Sequence, residues 1–448
     1  MIGMEVIALE KKENELKPRT LYLQQLCAFQ DTEPVKIVTG IRRCGKSSLM
    51  KLMIQHLQQT GIGGDQILQM NFESMALADL TAKELYVYVK ERILPGKRMY
   101  LFFDEVQRIP SWETAINSFR VDFDCDIYVT GSNSRLLSSE YATYLSGRSV
   151  EIKMLPLSFA EFMEFHGFTR KHIQGPDGQF LWRIYDAAGN LYLPDELLSA
   201  YMKFGGMPGI ADVGLNTDKA MILMDGIYST VVVRDILERE RIRGQRQITD
   251  PELLRKIIIF LADNIGNSTS LTSVANTLFH EKLLARDMKQ GKPSVQTVQA
   301  YIHALCESYV FYPVKRFDIK GKDYLRTLGK YYIVDTGLRN YLLGSRDMDT
   351  GHVLENIIYF ELLRRGYDVA VGKIDTKEID FIASKGNEKI YYQVTESMQD
   401  EATRQRELAP LEKIRDNYPK VVITRYGEPR TADNGIKCMR VTDFLLEY

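Results

Sequence analysis

The stretch IVTGIRRCGKSSLM, at residues 37–50, constrains the fold of this chain more than any other segment. Gly40, Gly45, Lys46 and Ser47 occupy the fixed positions of the pattern GxxxxGK[ST], between an apolar run and a segment of helical period. Two glycines let the backbone curl, so that successive N–H groups and the start of the helix face an anion. The stretch therefore predicts a strand, a phosphate-binding loop and a helix.

The chemistry of a nucleotide's phosphates assigns roles to this loop. Lys46 is predicted to reach the β and γ phosphates, and Ser47 to ligate Mg²⁺. The alternative is a basic turn before a helix, in which Arg42 and Arg43 face solvent instead of contacting phosphate. The residues predicted to bind nucleotide are Gly40, Arg42, Arg43, Cys44, Gly45, Lys46, Ser47 and Ser48.

A second motif is the stretch MYLFFDEVQRIPSW at residues 99–112, in which two acids directly follow the apolar run at 99–103. Asp104 and Glu105 would stand at the carboxyl end of a strand, where open α/β sheets bind their ligands. Asp104 is predicted to hold the Mg²⁺ shell, and Glu105 to polarise an attacking water. Acids at a strand end are more often solvated turn residues, but the loop at residues 40–47 favours the catalytic interpretation.

A third motif, YVTGSNS at residues 128–134, follows one strand later. Alone it is a plain turn. Beside the other two motifs, Asn133 is predicted to place a neutral amide near the γ phosphate and the water, where it can hydrogen-bond to both.

Apolar runs alternate with helix-period segments through residues 1–250, which predicts a doubly wound parallel α/β sheet. The predicted strands are 35–39, 66–72, 99–103 and 126–130, with a helix at 46–59. From residue 155 the pattern becomes mostly helical, with candidate helices at 158–165, 197–204 and 217–239 and a break at GGMPG, residues 205–209. These helices predict a smaller helical unit packed on the α/β core.

The pattern after residue 250 predicts three helices, at 252–262, 270–277 and 295–308, and then a hairpin, which is the winged-helix order. Gln296, Thr297 and Gln299 lie near the start of the candidate recognition helix. The hairpin at 315–330 carries six basic and two acidic residues, so it could seat DNA phosphates. Docking of a protein partner is the alternative, because charge runs are usually solvated faces and the whole chain is not basic.

The last block alternates helix and strand in a mixed α/β order. Its predicted elements are a helix at 353–365, strands at 368–372, 378–383 and 390–395, a helix at 400–416 and a strand at 420–423.

Taken together, GIRRCGKSS, LFFDEVQ, TGSNS, LSGRSVEIKMLPLSFAEF at 145–162 and GGMPG resemble the prokaryotic AAA-type ATPases, close to the archaeal ATPase group, that carry a C-terminal domain of unknown function. The resemblance implies ATP, Mg²⁺ and an additional-strand sheet with a helical lid. It places the Walker A loop on residues 40–47, Walker B on Asp104 and Glu105, and the sensor on Asn133. Arg148 falls on the family's Gly-Arg pair, where it would either neutralise transition-state charge, in cis or in a neighbouring copy, or form a surface salt bridge.

The last block more weakly resembles the PD-(D/E)xK nuclease fold, with Glu355 on a helix and Asp380 in KEIDFIA. Gln393 and Thr395 stand where that family has its second acid and its lysine. These two replacements leave too little negative charge to bind Mg²⁺ tightly and no evident cation to activate water. We therefore expect an inactive structural or binding unit in which Gln393 is a satisfied polar group.

The chain has 448 residues and a formal net charge of −1, which predicts several domains and no global attraction to nucleic acid or membrane. Five scattered cysteines and the absence of a leader-like N-terminus predict a reducing cytoplasm. The expected domains are an ATPase core at 1–155, a helical lid at 156–249, a winged helix at 250–345 and an inactive nuclease-like block at 346–448. Two functions stay open, namely an ATPase coupled to DNA binding and a slowly hydrolysing switch that holds a protein partner.

Overall fold

The computed structural model describes residues 16–133, 147–174, 180–230, 236–237, 248–280, 293–321, 323–344, 350–427 and 435–447. By their internal contacts these residues form two compact units. The first unit takes in residues 16–39, 45–131 and 147–154, and the second takes in 40–44, 132–133 and 155–447. None of the described helices is long and apolar enough to cross a bilayer.

The first unit is built on a five-stranded parallel sheet. Its strands are β1 Val35–Thr39, β2 Ile67–Asn71, β3 Met99–Asp104, β4 Cys125–Gly131 and β5 Ser149–Lys153. The order is β2-β3-β4-β1-β5, so β4 lies between β1 and β3. This inserted strand confirms the additional-strand sheet, and the four predicted strands are confirmed to within one residue at each end.

The helices of the first unit are α1 Thr20–Ala28, α2 Lys46–Gln59, α3 Ala82–Lys90 and α4 Trp112–Asp122. Every residue of β1 and of β3 is buried, which is why these strands are continuous apolar runs rather than alternating ones. Packing on one face is aromatic, since the ring centroids of Phe103 and Phe119 lie 5.8 Å apart. The strands that end at the three motifs are therefore held rigidly by a packed core.

The second unit begins with the predicted helices and adds a small sheet to them. The elements are α5 Phe159–Phe165, β6 Thr169–Gln174, β7 Phe180–Tyr185, β8 Leu191–Tyr192, α6 Pro194–Phe204, α7 Gly209–Val213 and α8 Thr217–Ile227. The three strands form an antiparallel sheet in the order β6-β7-β8, which the sequence pattern did not predict. The described residues of β6 are exposed or half-buried, so the apolar alternation that indicates a strand is weak there. Residues 231–235 and 238–239 of the predicted third helix lie outside the described residues.

Three helices and a hairpin follow in the predicted order. They are α9 Pro251–Asp263, α10 Leu271–His280, α11 Val295–Glu307, β9 Phe311–Asp318 and β10 Asp323–Ile333, followed by α12 Thr336–Leu343. The hairpin is not a free wing, because residues Ala370–Lys373 pair in parallel with β9. This correction has a physical cause: the unpaired edge of β9 finds its partner more than fifty residues along the chain, beyond the reach of any local pattern.

The C-terminal block completes the sheet that the hairpin begins. Its elements are α13 Thr350–Arg364, β11 Asp368–Ile374, β12 Lys377–Lys385, β13 Glu388–Ser397, α14 Glu401–Glu412, β14 Lys420–Tyr426, β15 Lys437–Arg440 and α15 Val441–Leu446. The sheet has seven strands in the order β10-β9-β11-β12-β13-β14-β15. The predicted helices and strands are present, and β15 and α15 add to them.

A buried carboxylate joins the end of α6 to the start of α12. Asp335 accepts hydrogen bonds from the backbone N–H of Gly206 at 2.7 Å and of Leu338 at 2.9 Å, the second of which caps α12. Burial raises the pKa of Asp335 to about 6, although these backbone donors favour the ionised form. The junction crosses the predicted boundary at 249/250, so the four-part division of the chain remains a proposal.

Gly337→Ala is expected to lower the free energy of unfolding by about 1–3 kcal/mol, the usual cost of overpacking. An added Cβ would stand 2.2 Å from the carbonyl oxygen of Phe204, which is backbone and cannot rotate away. Urea denaturation of the full chain measures this loss. The matched control is Gly226→Ala in α8, where nothing lies within 4 Å of the added Cβ. Because alanine favours helix over glycine, the control is expected to be neutral or stabilising, and equal losses in the two variants would contradict the close approach.

Candidate functional site

The loop between β1 and α2 has the curled backbone that its glycines predict. Gly40, Arg43 and Gly45 have positive φ angles of 143°, 66° and 107°. Within the loop, the N–H of Cys44 donates to the carbonyl of Ile41 at 3.3 Å. Gly45 is the N-cap of α2, whose first-turn N–H groups have no carbonyl partner within the helix. The loop therefore ends at a helix N-terminus suited to an anion.

Lys46 is the first residue of α2, and its side chain is buried, with 4% exposed. Its Nζ lies 3.9 Å from Oε1 of Glu105, the residue directly after β3. The structure thus brings together the lysine of the first motif and the second acid of the second motif, which are far apart in sequence. An ammonium group beside a carboxylate in a buried position is a focused electrostatic site.

Asp104 is held by neutral donors from the two neighbouring strands. Its Oδ1 accepts from the hydroxyl of Thr130 on β4, and its Oδ2 accepts from Nδ2 of Asn71 on β2 at 3.2 Å. Only 4% of Asp104 is exposed. Two neutral donors therefore fix the orientation of the Asp104 side chain, and no cationic side chain takes part in these two hydrogen bonds.

Glu105 adopts a left-handed backbone conformation, with φ 55° and ψ 47°. Such a conformation costs a non-glycine residue about 1–2 kcal/mol, so the surrounding structure must enforce it. The N–H of Glu105 donates to Oγ1 of Thr130 at 2.9 Å, and its Oε2 accepts from the amide of Gln107. One threonine hydroxyl therefore orients both acids of the motif.

The other predicted residues of the loop differ in exposure. Ser47, Ser48 and Arg43 are exposed and Arg42 is half-buried. The side chain of Cys44 is fully buried, so any contact of this residue with a ligand must use its backbone. Asn133 is buried two residues after β4, at the carboxyl end of that strand.

Arg148 lies at the opposite edge of the sheet. Its backbone carbonyl accepts from the N–H of Val35, the first residue of β1, whereas the nucleotide loop follows the last residue of that strand. The five residues of β1 separate the two positions by about 16 Å at 3.3 Å per residue, further than an arginine side chain extends. This placement disfavours a role in cis, and the role in a neighbouring copy stays a proposal. The Arg148 side chain is exposed and forms no ion pair with any described residue.

Three residues that orient the acids had no role in the sequence-based prediction: Asn71, Gln107 and Thr130. Thr130 lies inside the YVTGSNS motif, and Asn71 is the last residue of β2, directly opposite Asp104 in the register. The available signal was a polar residue at or near the carboxyl end of a predicted strand, as Asn71 and Thr130 are. The strand order needed to use that signal is a property of the tertiary structure.

A second buried cluster of charges surrounds Glu355 of α13 and Asp380 of β12. The Nζ of Lys330, on β10, lies 3.1 Å from Oε1 of Glu355 and also pairs with Glu378. Burial alone would lower the pKa of Lys330, but these carboxylates outweigh burial and raise it. The cation beside the acids of this block is therefore Lys330, which comes from the hairpin.

The other positions at which this block resembles the nuclease fold do not add negative charge to the cluster. Burial and the nearby Glu355 raise the pKa of Asp380 well above its usual range. Gln393 donates from Nε2 to Glu407 at 2.9 Å, but its buried Oε1 has no hydrogen-bond partner among the residues that the structure describes. Gln393 is thus only half satisfied, which corrects the expectation. Among the described residues, no group of three or more His, Cys, Asp or Glu side chains is placed to hold a metal.

Lys330→Met is expected to lower the free energy of unfolding by about 3–5 kcal/mol, because it leaves the buried carboxylate of Glu355 without its cation. Chemical denaturation of the full chain measures the loss. The matched control is Lys320→Met, which removes an exposed ion pair with Asp375 from the same hairpin. The control is expected to change stability far less, since exposed pairs contribute little. If the two variants were equally stable, Lys330 would not be the charge that holds the cluster together.

Two family models match the chain. Residues 32–163 match an AAA domain, and residues 195–349 match a domain of unknown function, DUF8612. A protein of Haemophilus influenzae is 38% identical over 433 residues, covering 96% of this chain and 98% of that protein. A protein of Methanocaldococcus jannaschii is 30% identical over 407 residues, covering 88% of this chain and 82% of that protein.

Solved structures with a related arrangement include a Walker-type ATPase of Pyrococcus abyssi, which is 15% identical with a TM-score of 0.46 and covers 74% of this chain and 97% of its own. The ORC1 protein of Aeropyrum pernix, solved in complex with DNA, is 13% identical with a TM-score of 0.33 and covers 75% of this chain and 94% of its own. The strand order and the AAA-domain match, rather than these likenesses, establish the fold of the first unit.

Proposed function

Because the chain belongs to the family of AAA-type P-loop proteins with a C-terminal domain of unknown function, as its motifs predicted, we propose that it binds Mg·ATP and hydrolyses it. The observation that carries the proposal is the buried pairing of Lys46 with Glu105, 3.9 Å apart, at the end of a curled glycine loop. Family membership alone supplies the nucleotide-binding fold, and the positions of the two charges support the reaction.

The loop residues would bind the triphosphate through backbone N–H groups, and Lys46 would contact the β and γ phosphates. The hydroxyl of Ser47 and the carboxylate of Asp104 are hard oxygen ligands that would hold Mg²⁺, and the ion would neutralise charge on the phosphates. Asp104 suits this role because Thr130 and Asn71 orient it without adding charge.

Glu105 would act as the general base for the attacking water, and Asn133 would hydrogen-bond the γ phosphate or that water. Lys46 would have to leave Glu105 to reach the phosphates, which would free Oε1 to accept a proton from water. Arg148 would contribute only to the site of a neighbouring copy, since its own loop lies at the far edge of the sheet.

The test of this proposal is phosphate release by the full chain with Mg·ATP, measured with and without duplex DNA. Turnover that rises with DNA supports an ATPase coupled to DNA binding. Absence of both ATP binding and phosphate release from folded protein would overturn the proposal.

The competing function is a slowly hydrolysing switch that holds a protein partner. One observation favours it: both carboxylate oxygens of Glu105 are engaged, Oε1 by Lys46 and Oε2 by Gln107. A base held in this way is not ready to activate water until something displaces its partners. A very slow phosphate release that DNA does not change, together with tight ATP binding, would favour the switch.

Binding of duplex DNA through α11 is a separate part of the proposal. Gln296 and Gln299 are exposed near the start of this helix, where amide side chains can read adenine edges. The basic hairpin contributes less than its composition predicted, because Lys330 is buried and Arg316 and Lys320 face carboxylates. The double variant Gln296→Ala/Gln299→Ala is expected to weaken duplex binding without changing ATP binding. Unchanged duplex affinity would move DNA recognition away from α11.

A further inference from the structure

A cavity of about 700 Å³ opens at the carboxyl ends of β14 and β15, on a part of the second unit that none of the sequence motifs reaches. The carboxyl ends of parallel strands are where open α/β sheets bind ligands, and β13, β14 and β15 run parallel. The volume lies within the usual range of small-molecule sites. Three arginines from three different elements line it: Arg404 of α14, Arg425 of β14 and Arg440 of β15.

Arg425 forms the fixed wall of this cavity. Its guanidinium donates to both carboxylate oxygens of Asp195, from Nε at 2.8 Å and from Nη2 at 3.1 Å, and to Oγ of Ser199 at 2.6 Å. Asp195 is the one acid among the described lining residues, so this pair neutralises the negative charge that they bring to the cavity wall. The centre of the Arg425 guanidinium also lies 5.0 Å from the ring centroid of Tyr426.

Arg404 and Arg440 are the two lining arginines whose charge no described carboxylate neutralises. Both are half-buried, and neither forms an ion pair with any residue in the described ranges. Arg440 donates Nε to the carbonyl of Gly427 at 3.3 Å, and among the described residues its terminal nitrogens have no hydrogen-bond partner. Two guanidinium groups in a concave, partly desolvated site attract an anion that can accept several hydrogen bonds at once.

The ring of Tyr426 adds a second recognition element. It lines the same cavity, and the residue is 42% exposed. An exposed ring beside arginines is a surface on which a planar base can stack. Phosphate alone would occupy only a small part of the volume, whereas a phosphate joined to a sugar and a base would reach the ring.

We propose that this cavity binds a nucleoside phosphate, with the phosphate between Arg404 and Arg440 and the base against Tyr426. The chemistry is shared by a free mononucleotide and by the phosphorylated end of a nucleic-acid strand. The site is separate from the loop at residues 40–47, so it does not depend on the proposed ATPase.

The proposal is tested by calorimetry on the full chain carrying Lys46→Ala, which weakens the other nucleotide site. The probes are AMP, a short single strand of DNA with a 5′ phosphate, adenosine and inorganic phosphate. AMP or the strand is expected to bind with a stoichiometry of one, and its affinity should fall as the salt concentration rises. Adenosine, which has no phosphate, is not expected to bind. Tighter binding of the strand than of AMP would identify a strand end as the source, and the reverse a free nucleotide.

Arg404→Ala is expected to weaken the binding at least about tenfold, which corresponds to the loss of one charge-assisted contact. The matched control is Arg415→Ala, which removes an exposed arginine outside the cavity and should leave binding unchanged. Tyr426→Ala should weaken AMP but not inorganic phosphate. The proposal would be overturned if protein that retains Arg404 bound neither AMP nor the strand. Equal affinities in the Arg404 and Arg415 variants would also overturn it.

Discussion

Lys46→Ala is expected to weaken Mg·ATP binding by at least about 100-fold, a loss of about 3 kcal/mol. The variant removes the one ammonium group at the start of α2, where its buried Nζ faces the carboxyl edge of the sheet. It also leaves Glu105 without its cationic neighbour, so the site becomes more repulsive toward a triphosphate. Isothermal titration calorimetry with Mg·ATP on the full chain measures the effect.

The matched control for this prediction is Lys51→Ala, which removes an exposed lysine from the same helix. The control is expected to bind Mg·ATP as the unchanged chain does, because its ammonium group lies in solvent beyond the first turn. Thermal melting of both variants checks that the fold survives. Equal affinities for the two variants would contradict the assignment of the loop at residues 40–47.

Glu105→Gln is expected to lower ATP turnover at least about 100-fold while Mg·ATP still binds. Glutamine keeps the size and the hydrogen-bonding reach of glutamate but cannot accept a proton from water. It also removes the negative charge next to Lys46, so binding of the triphosphate should be equal or tighter. Phosphate release and calorimetry on the same preparation separate the two effects.

Glu91→Gln serves as the control, since it changes an exposed glutamate at the end of α3. Undiminished turnover in Glu105→Gln would remove Glu105 from its assigned role. Loss of ATP binding together with turnover would instead identify Glu105 as a residue that positions Lys46. The two outcomes are distinguishable because binding and phosphate release are measured separately.

Most of the first unit could be predicted from the sequence because its elements are indicated by patterns among residues that are close in sequence. A continuous apolar run predicts a strand that is buried on both faces, and a glycine pair before a helical pattern predicts the loop. The residues that orient the acids could not be predicted. Thr130 and Asn71 contact Asp104 only because β4 and β2 flank β3 in the sheet.

The second unit departed further from its prediction, and long-range pairing is the cause. The hairpin has the composition of a basic wing, but Val371 and its neighbours pair with β9 and take the hairpin into the C-terminal sheet. That placement buries Lys330 beside Glu355, and so it supplies the cation that the strand positions of the nuclease-like block lack. The count of basic residues along the hairpin therefore overestimated how many of them are free to contact DNA phosphates.

The sequence by itself determined the nucleotide loop, the two acids and the strands that lead to them, because these features depend on neighbouring residues and on one period of hydrophobicity. Only the tertiary structure decided which charges meet. Strand order set Lys46 beside Glu105, put Arg148 at the far edge of the sheet and gathered three arginines around one cavity. Those outcomes depend on pairing between distant segments, whose free energy comes from burial and hydrogen bonds that no local pattern encodes.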